Sequence, residues 1–203
     1  MPIQQATRIG IFGGTFDPIH LGHLILATEI SHALDLTRVL FVPGGIPPHK
    51  PGQPISPAPD RLAMLRLALE GNSSFGIHTL EIDRGGVSYT AETVELLASE
   101  LVPSSLVFLM GEDSLRDLPT WHAPGRIATY AELAVATRPN VEVDLREVTN
   151  AVPEARGRIH FIETPSIEIS ASDIRRRVAA GAPFRYMVAD TVRRYILDHG
   201  LYI

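Results

Sequence analysis

The chain has 203 residues, 45% hydrophobic and 20% charged, with a formal net charge of −5 and no cysteine. That length leaves room for one large domain with a sizeable core, or for two small ones. Zero cysteines exclude a disulfide scaffold and a thiolate zinc site, and the acidic balance argues against broad nucleic-acid binding, which wants a basic face.

Short apolar runs recur along the chain at Ile9–Phe12, Val39–Val42, Phe75–Ile82, Leu106–Met110, Leu133–Thr137 and Ile159–Ile162. Between most of them, Leu24–Leu36, Arg61–Leu69, Ala91–Leu101 and Arg126–Tyr130 carry apolar residues at helical spacing. Unbroken strands alternating with helices predict an α/β fold, a doubly wound parallel sheet with helices on both faces. Ligands on such sheets sit at the carboxyl ends of the strands. The first residues lack a long apolar core, so no signal peptide is expected, and no apolar run approaches the roughly 18 residues of a membrane span. The expected setting is a reducing cytoplasm, without membrane or nucleic acid as partner; a homo-oligomer is left open.

The stretch Gly13-Gly14-Thr15-Phe16-Asp17-Pro18-Ile19-His20-Leu21-Gly22-His23 follows the first strand. A glycine turn there opens a helix with two histidines in its first turn, three residues apart and so on one face. Unpaired N–H groups and the positive end of the dipole make such a start an anion site, with phosphate the first candidate. Zinc on His20 and His23 would need further ligands, and none is evident nearby. The stretch lacks the lysine of a P-loop and the Gly-x-Gly-x-x-Gly of a dinucleotide fingerprint.

Pro43–Pro59 holds seven prolines and reads as an extended, irregular loop at a strand end, carrying His49 and Lys50. Asp60 and Arg61 then begin a helix. Ser88 or Thr90 would cap the helix after the Asp83–Gly86 turn. Gly111-Glu112-Asp113-Ser114 again follows a strand; Asp113 either accepts a ribose hydroxyl or caps the turn Ser114–Leu118. Trp121, the single tryptophan, sits in a proline-bounded polar loop, and Arg138 ends the next strand. Near the C-terminus, Ser170 reads as the N-cap of a helix to about Ala180, with Ser172 and Arg175 three apart at its mouth and Arg176 on a solvated face. The last helix, about Asp190–His199 with Gly200 as C-cap, reads as packing only.

Gly13–His23 together with Ile169-Ser170-Ala171-Ser172-Asp173-Ile174-Arg175 resembles the paired signature of the nucleotidyltransferase superfamily with the HxGH motif. The landmarks Pro47-Pro48-His49-Lys50, Ser88-Tyr89-Thr90, Gly111–Ser114, Pro119-Thr120-Trp121 and Arg138-Pro139 resemble, in that order, those of the bacterial nicotinate-mononucleotide adenylyltransferases, from about Arg8 to Tyr202. Two departures are small: Ser172 stands where threonine is common, and Asn140 where glycine is.

The resemblance implies a Rossmann-like single domain over 1–203 with a C-terminal helical part from about 170. It also implies AMP transfer from ATP to nicotinate mononucleotide, giving deamido-NAD and pyrophosphate. By the same resemblance His20, His23 and Arg175 are catalytic, and Gly13, Gly14, Thr15, Phe16, Gly22, Gly111, Asp113, Ser170 and Ser172 bind ATP. His49, Lys50, Tyr89, Thr90, Trp121 and Arg138 bind nicotinate mononucleotide, and Mg²⁺ arrives with ATP rather than on protein ligands. A sister adenylyltransferase acting on phosphopantetheine or nicotinamide mononucleotide is the alternative.

Overall fold

Every strand pairs in parallel, in the order β3-β2-β1-β4-β5-β6. The computed structural model describes residues 7–45, 55–137 and 143–203. The strands are β1 Arg8–Gly14, β2 Arg38–Pro43, β3 Phe75–Ile77, β4 Ser105–Gly111, β5 Ala131–Thr137 and β6 Ile159–Glu163. The helices are α1 Leu21–Ala33, α2 Ala58–Leu69, α3 Leu80–Arg84, α4 Thr90–Glu100, α5 Glu112–Asp117, α6 Pro124–Tyr130, α7 Leu145–Ala151, α8 Ala171–Ala179 and α9 Asp190–Asp198. Short 3₁₀ turns follow α5 and α7.

Alternation along the strands divides the core in two, because successive side chains point to opposite faces. Phe12, Val39, Phe41, Val107, Leu109, Ala134 and Ile162 meet α1, α2, α8 and α9 through Ala27, Ile30, Met64, Leu65, Ile174, Val192 and Ile196. On the other face Ile9, Ile11, Leu40, Val42, Phe108, Met110 and Val135 meet α4, α5, α6 and α7 through Val94, Leu97, Leu115, Ile127 and Val148. Helices therefore cover both faces, as the unbroken apolar runs required. The strand order reverses between β1 and β4, and their carboxyl ends, Gly13-Gly14 and Gly111, flank the crevice where an open sheet takes its ligand.

Local expectations fail at identifiable places. The run Phe75–Ile82 is not one strand: β3 pairs with β2 at three positions, and the chain then turns into α3. There Thr79 Oγ1 donates to Asp83 Oδ2 at 2.5 Å, and Glu81 turns inward to accept from Thr93 Oγ1 at 2.8 Å. Neither Ser88 nor Thr90 caps α4; the N-cap is Tyr89, with no side-chain bond, and Thr90 is the first helical residue. The turn Ser114–Leu118 is mostly helix, within α5 and the 3₁₀ turn after it. The proline-rich stretch gives way to α2 at Ala58, so Pro59 lies in a first turn, where proline costs no hydrogen bond. No helix among the described residues is long and apolar enough to cross a membrane.

Candidate active site

A cleft of about 430 Å³ opens over the β1 and β4 ends, lined in part by Gly13, His20, Gly22, His23, Gly111, Asp113, Ser170 and Ser172. It brings together the starts of α1 and α8, two helix N-termini far apart in the chain. Each presents N–H groups and the positive end of a dipole, the features of an anion site.

His20 is the N-cap of α1, and its extended backbone ends the turn from β1. His23 occupies the third helical position and reaches back: the His20 backbone N–H donates to His23 Nδ1 at 3.3 Å. An accepting Nδ1 carries the lone pair, so in the neutral ring the proton sits on Nε2. The two rings stack, with centroids 3.6 Å apart and planes 21° from parallel. Phe12 and Phe16 pack edge-on against His23.

Burial lowers His20 to a pKa of about 4, and its Nδ1 is buried with no hydrogen-bond partner among the described residues. Burial first, and then the charge of His20, hold His23 well below the ordinary imidazole range. Both rings are neutral at pH 7 in the free protein.

The sign of the resulting pH dependence follows. Between the unfolded value of 6.5 and the folded value of about 4, the unfolded chain binds a proton at His20 that the folded chain refuses. The stability contribution is complete above pH 6.5 and declines as pH falls toward 4, by up to about 1.4 kcal/mol per pH unit. Denaturant unfolding at pH 7.5, 6.5 and 5.5 should show a shallower acid loss for His20→Gln than for the wild type. Parallel losses would place His20 outside a desolvated site.

Gly22 serves the histidine as well as the cleft: a Cβ there would come within 3.1 Å of His20 Nδ1. Phe16 is buried, and its side chain is core packing with Phe12 and Phe41. Gly14 and Thr15 use their carbonyls structurally, accepting from Gly44 N at 2.8 Å and Arg61 Nη1 at 2.8 Å. Ser170 Oγ caps α8 by accepting from Asp173 N at 3.1 Å, which leaves its hydroxyl proton free to donate. Arg175 Nη1 donates to the Asp17 carbonyl at 2.6 Å, while Nη2 donates to Ser172 Oγ at 3.3 Å. Arg176 and Arg177 instead pair with Asp173. Asp113 is exposed on α5 and held by Arg116 at 3.0 Å.

On the other face of the sheet, Tyr89 lies against His122, with ring centroids 4.3 Å apart. Trp121 is partly buried and meets Phe108 edge-on at 6.2 Å. The start of α4 and the Trp121 loop are thus neighbours. His49, Lys50 and Arg138 lie outside the described residues.

Residues 11–177 match the cytidylyltransferase-like family model. The chain belongs to that family. A relative from Thermomicrobium roseum, named "Probable nicotinate-nucleotide adenylyltransferase", is 56% identical over 97% of this chain and 92% of its own length. One of the same name from a Roseiflexus species is 46% identical over 98% of this chain and all of its own. The Plasmodium falciparum nicotinic acid mononucleotide adenylyltransferase, solved with APC and with NaAD, superposes with a TM-score of 0.79 at 17% identity, covering 97% of each chain. Within the cytidylyltransferase-like fold, the cleft described above occupies the sheet's switch point.

Three residues that carried no site expectation, Asp17, Arg61 and Tyr202, complete the surroundings. Asp17 is buried and accepts from Tyr202 at 2.6 Å through Oδ1 and from Ser56 N at 3.1 Å through Oδ2. Arg61 is buried on α2 and donates to the carbonyls of Thr15, Gly44 and Ser56. Its signal was a charged residue on the apolar stripe of Met64, Leu65 and Leu69.

Proposed function

We infer that this protein transfers the adenylyl group of ATP to the 5′-phosphate of nicotinate mononucleotide, forming deamido-NAD and releasing pyrophosphate, as a step of NAD biosynthesis. The observation that carries the reading is the cleft at the switch point, where two helix mouths and two neutral, stacked histidines face one another. The relatives' names, over nearly the whole chain, supply the acceptor.

An acceptor phosphate oxygen attacks the α-phosphorus, the α–β bridging P–O bond breaks, and its electron pair leaves on pyrophosphate. The attacking oxygen is already anionic, so no protein nucleophile or strong base is needed. Catalysis then rests on positioning and on meeting charge where it develops. In this reading His23 Nε2–H donates to the α-phosphate and His20 meets the triphosphate. Gly13 and Gly14 at the end of β1, and Thr15 and Phe16 in the turn after it, supply backbone N–H groups, and Ser170, Ser172 and Arg175 take the β- and γ-phosphates. Gly111 and Asp113 approach the ribose. Trp121 stacks on the pyridine ring, Tyr89 and Thr90 receive its carboxylate, and His49, Lys50 and Arg138 approach the acceptor phosphate.

The donor set suits a metal carried by the substrate. Asp113 is the only carboxylate lining the cleft among the described residues, and Arg116 already engages it. Mg²⁺ would be held by triphosphate oxygens and water, and when bound would neutralise the leaving pyrophosphate.

Pyrophosphate release from ATP, compared with nicotinate mononucleotide, nicotinamide mononucleotide and phosphopantetheine as acceptors, tests the assignment. The first should give the highest kcat/KM. Turnover confined to phosphopantetheine would replace the acceptor.

A further inference from the structure

A buried arginine is costly unless every N–H finds a partner, and a well-packed apolar residue in its place is often as stable or more so. Arg61 is 3% exposed within the apolar stripe of α2. Among the described residues its guanidinium makes no hydrogen bond to a carboxylate; it goes to three main-chain carbonyls. Nη1 reaches Thr15 O at 2.8 Å and Gly44 O at 2.9 Å, and Nε reaches Ser56 O at 3.1 Å.

Those carbonyls belong to different parts of the reading above. Thr15 lies in the turn that opens the ATP side of the cleft. Gly44 and Ser56 are the two ends of the proline-rich connection that leaves β2 and returns at α2. Two further bonds span the same gap: Gly44 N to Gly14 O at 2.8 Å, and Ser56 N to Asp17 Oδ2 at 3.1 Å. Asp17, 2% exposed, is itself held by the Tyr202 hydroxyl at 2.6 Å. Both ends of the connection are therefore fixed to residues 14–17 by one buried set of bonds centred on Arg61 and Asp17.

We propose that Arg61 is a positioning residue for the transfer: with Asp17 and Tyr202, it seats both ends of the proline-rich connection on the phosphate turn, and so sets where the acceptor mononucleotide lies relative to the α-phosphate. The proposal rests on the adenylyl-transfer reading. Its physical force is that a planar fork can satisfy three carbonyls at fixed angles, whereas an ammonium or an apolar chain cannot. A misplacement of about 1 Å between reacting groups can cost about 10²-fold in rate.

The test compares Arg61→Lys, Arg61→Met and Tyr202→Phe with the wild type. It measures KM for nicotinate mononucleotide, kcat, the Kd of a non-hydrolysable ATP analogue and Tm. Arg61→Lys should raise the acceptor KM and lower kcat by roughly tenfold each, with ATP-analogue affinity within about twofold of the wild type. Arg61→Met should be worse than Lys, because lysine keeps one of the carbonyl bonds. Tyr202→Phe removes one hydroxyl and should raise the acceptor KM about two- to fivefold with Tm lowered by only a few degrees, which keeps the proposal testable if the Arg61 variants fold poorly. An acceptor KM unchanged in both Tyr202→Phe and Arg61→Lys would overturn it, as would ATP-analogue affinity falling in step with the acceptor KM. A wild-type protein that releases no pyrophosphate with nicotinate mononucleotide would overturn the function itself; an active wild type with kinetically silent variants would overturn this inference alone.

Discussion

Replacing His23 with alanine is expected to lower kcat by about 10²- to 10³-fold, the usual effect of deleting one donor aimed at developing charge. The expectation comes from the ring's geometry. Its Nδ1 already accepts from the His20 N–H, which leaves the Nε2 proton for the cleft. Burial, together with the charge of His20, keeps the ring neutral in the free protein, so it meets the nucleotide as a hydrogen-bond donor without the cost of a buried cation. A contact that strengthens only as charge builds on the α-phosphate affects kcat and kcat/KM alike and leaves the ATP KM little changed. Two side effects can be separated from this. The substitution deletes a partner of the His20 N–H at the start of α1, worth about 1 kcal/mol of stability, and it removes a stacking partner of His20. His23→Gln keeps a donor of similar reach and should recover part of the rate. Steady-state pyrophosphate release, read beside a thermal melt, decides: near-normal turnover in His23→Ala would remove His23 from the chemistry.

What could be read from residue order alone was what is local or periodic. Ile9–Phe12, Leu106–Met110 and Leu133–Thr137 are apolar on both faces because helices cover both faces, and that signal carried the sheet and its doubly wound class. The two helix mouths were legible because capping chemistry is short-range: Ser170 caps α8 through Asp173 N, three residues on. Boundaries were less legible where tertiary pairing decides them. Phe75–Ile82 is apolar enough for one strand, but β2 pairs in register with Phe75, Gly76 and Ile77, accepts one more bond from His78 N at Phe41 O, and the chain then turns into α3. The helix α7 has a readable start, with Asp144 Oδ1 accepting from Arg146 N and Glu147 N, yet its seven residues are too few for a periodic stripe. Asp17 and Tyr202 meet across 185 positions, and no local pattern announces such a contact. Arg61 was the exception, a charge on an apolar stripe, whose meaning appears only once Thr15, Gly44 and Ser56 are seen around it.

Arg175→Ala should raise the KM for ATP by roughly 10- to 100-fold, a loss of about 1.4 to 2.8 kcal/mol. Three arginines stand in succession on α8, and their surroundings distinguish them. Arg176 and Arg177 are held by Asp173, and Arg176 projects into solvent. Arg175 leans toward the turn after β1, holding the Asp17 carbonyl at 2.6 Å and Ser172 Oγ at 3.3 Å. Neither partner is a carboxylate, so among the described residues its charge is not hydrogen-bonded to an anion, while Ser172 beside it already lines the cleft. A guanidinium so placed can exchange the Ser172 hydroxyl for phosphate oxygens while keeping its bond to Asp17. Arg175→Lys retains the charge without the fork and should fall between wild type and alanine. Arg176→Ala, a change at a solvated position, should leave the ATP KM within about twofold. Should Arg175→Ala lower Tm while the ATP KM stays at the wild-type value, Arg175 would be a tether between α8 and the phosphate turn, and the grip on the far phosphates would pass to the Ser170 and Ser172 hydroxyls and the N–H groups at the start of α8.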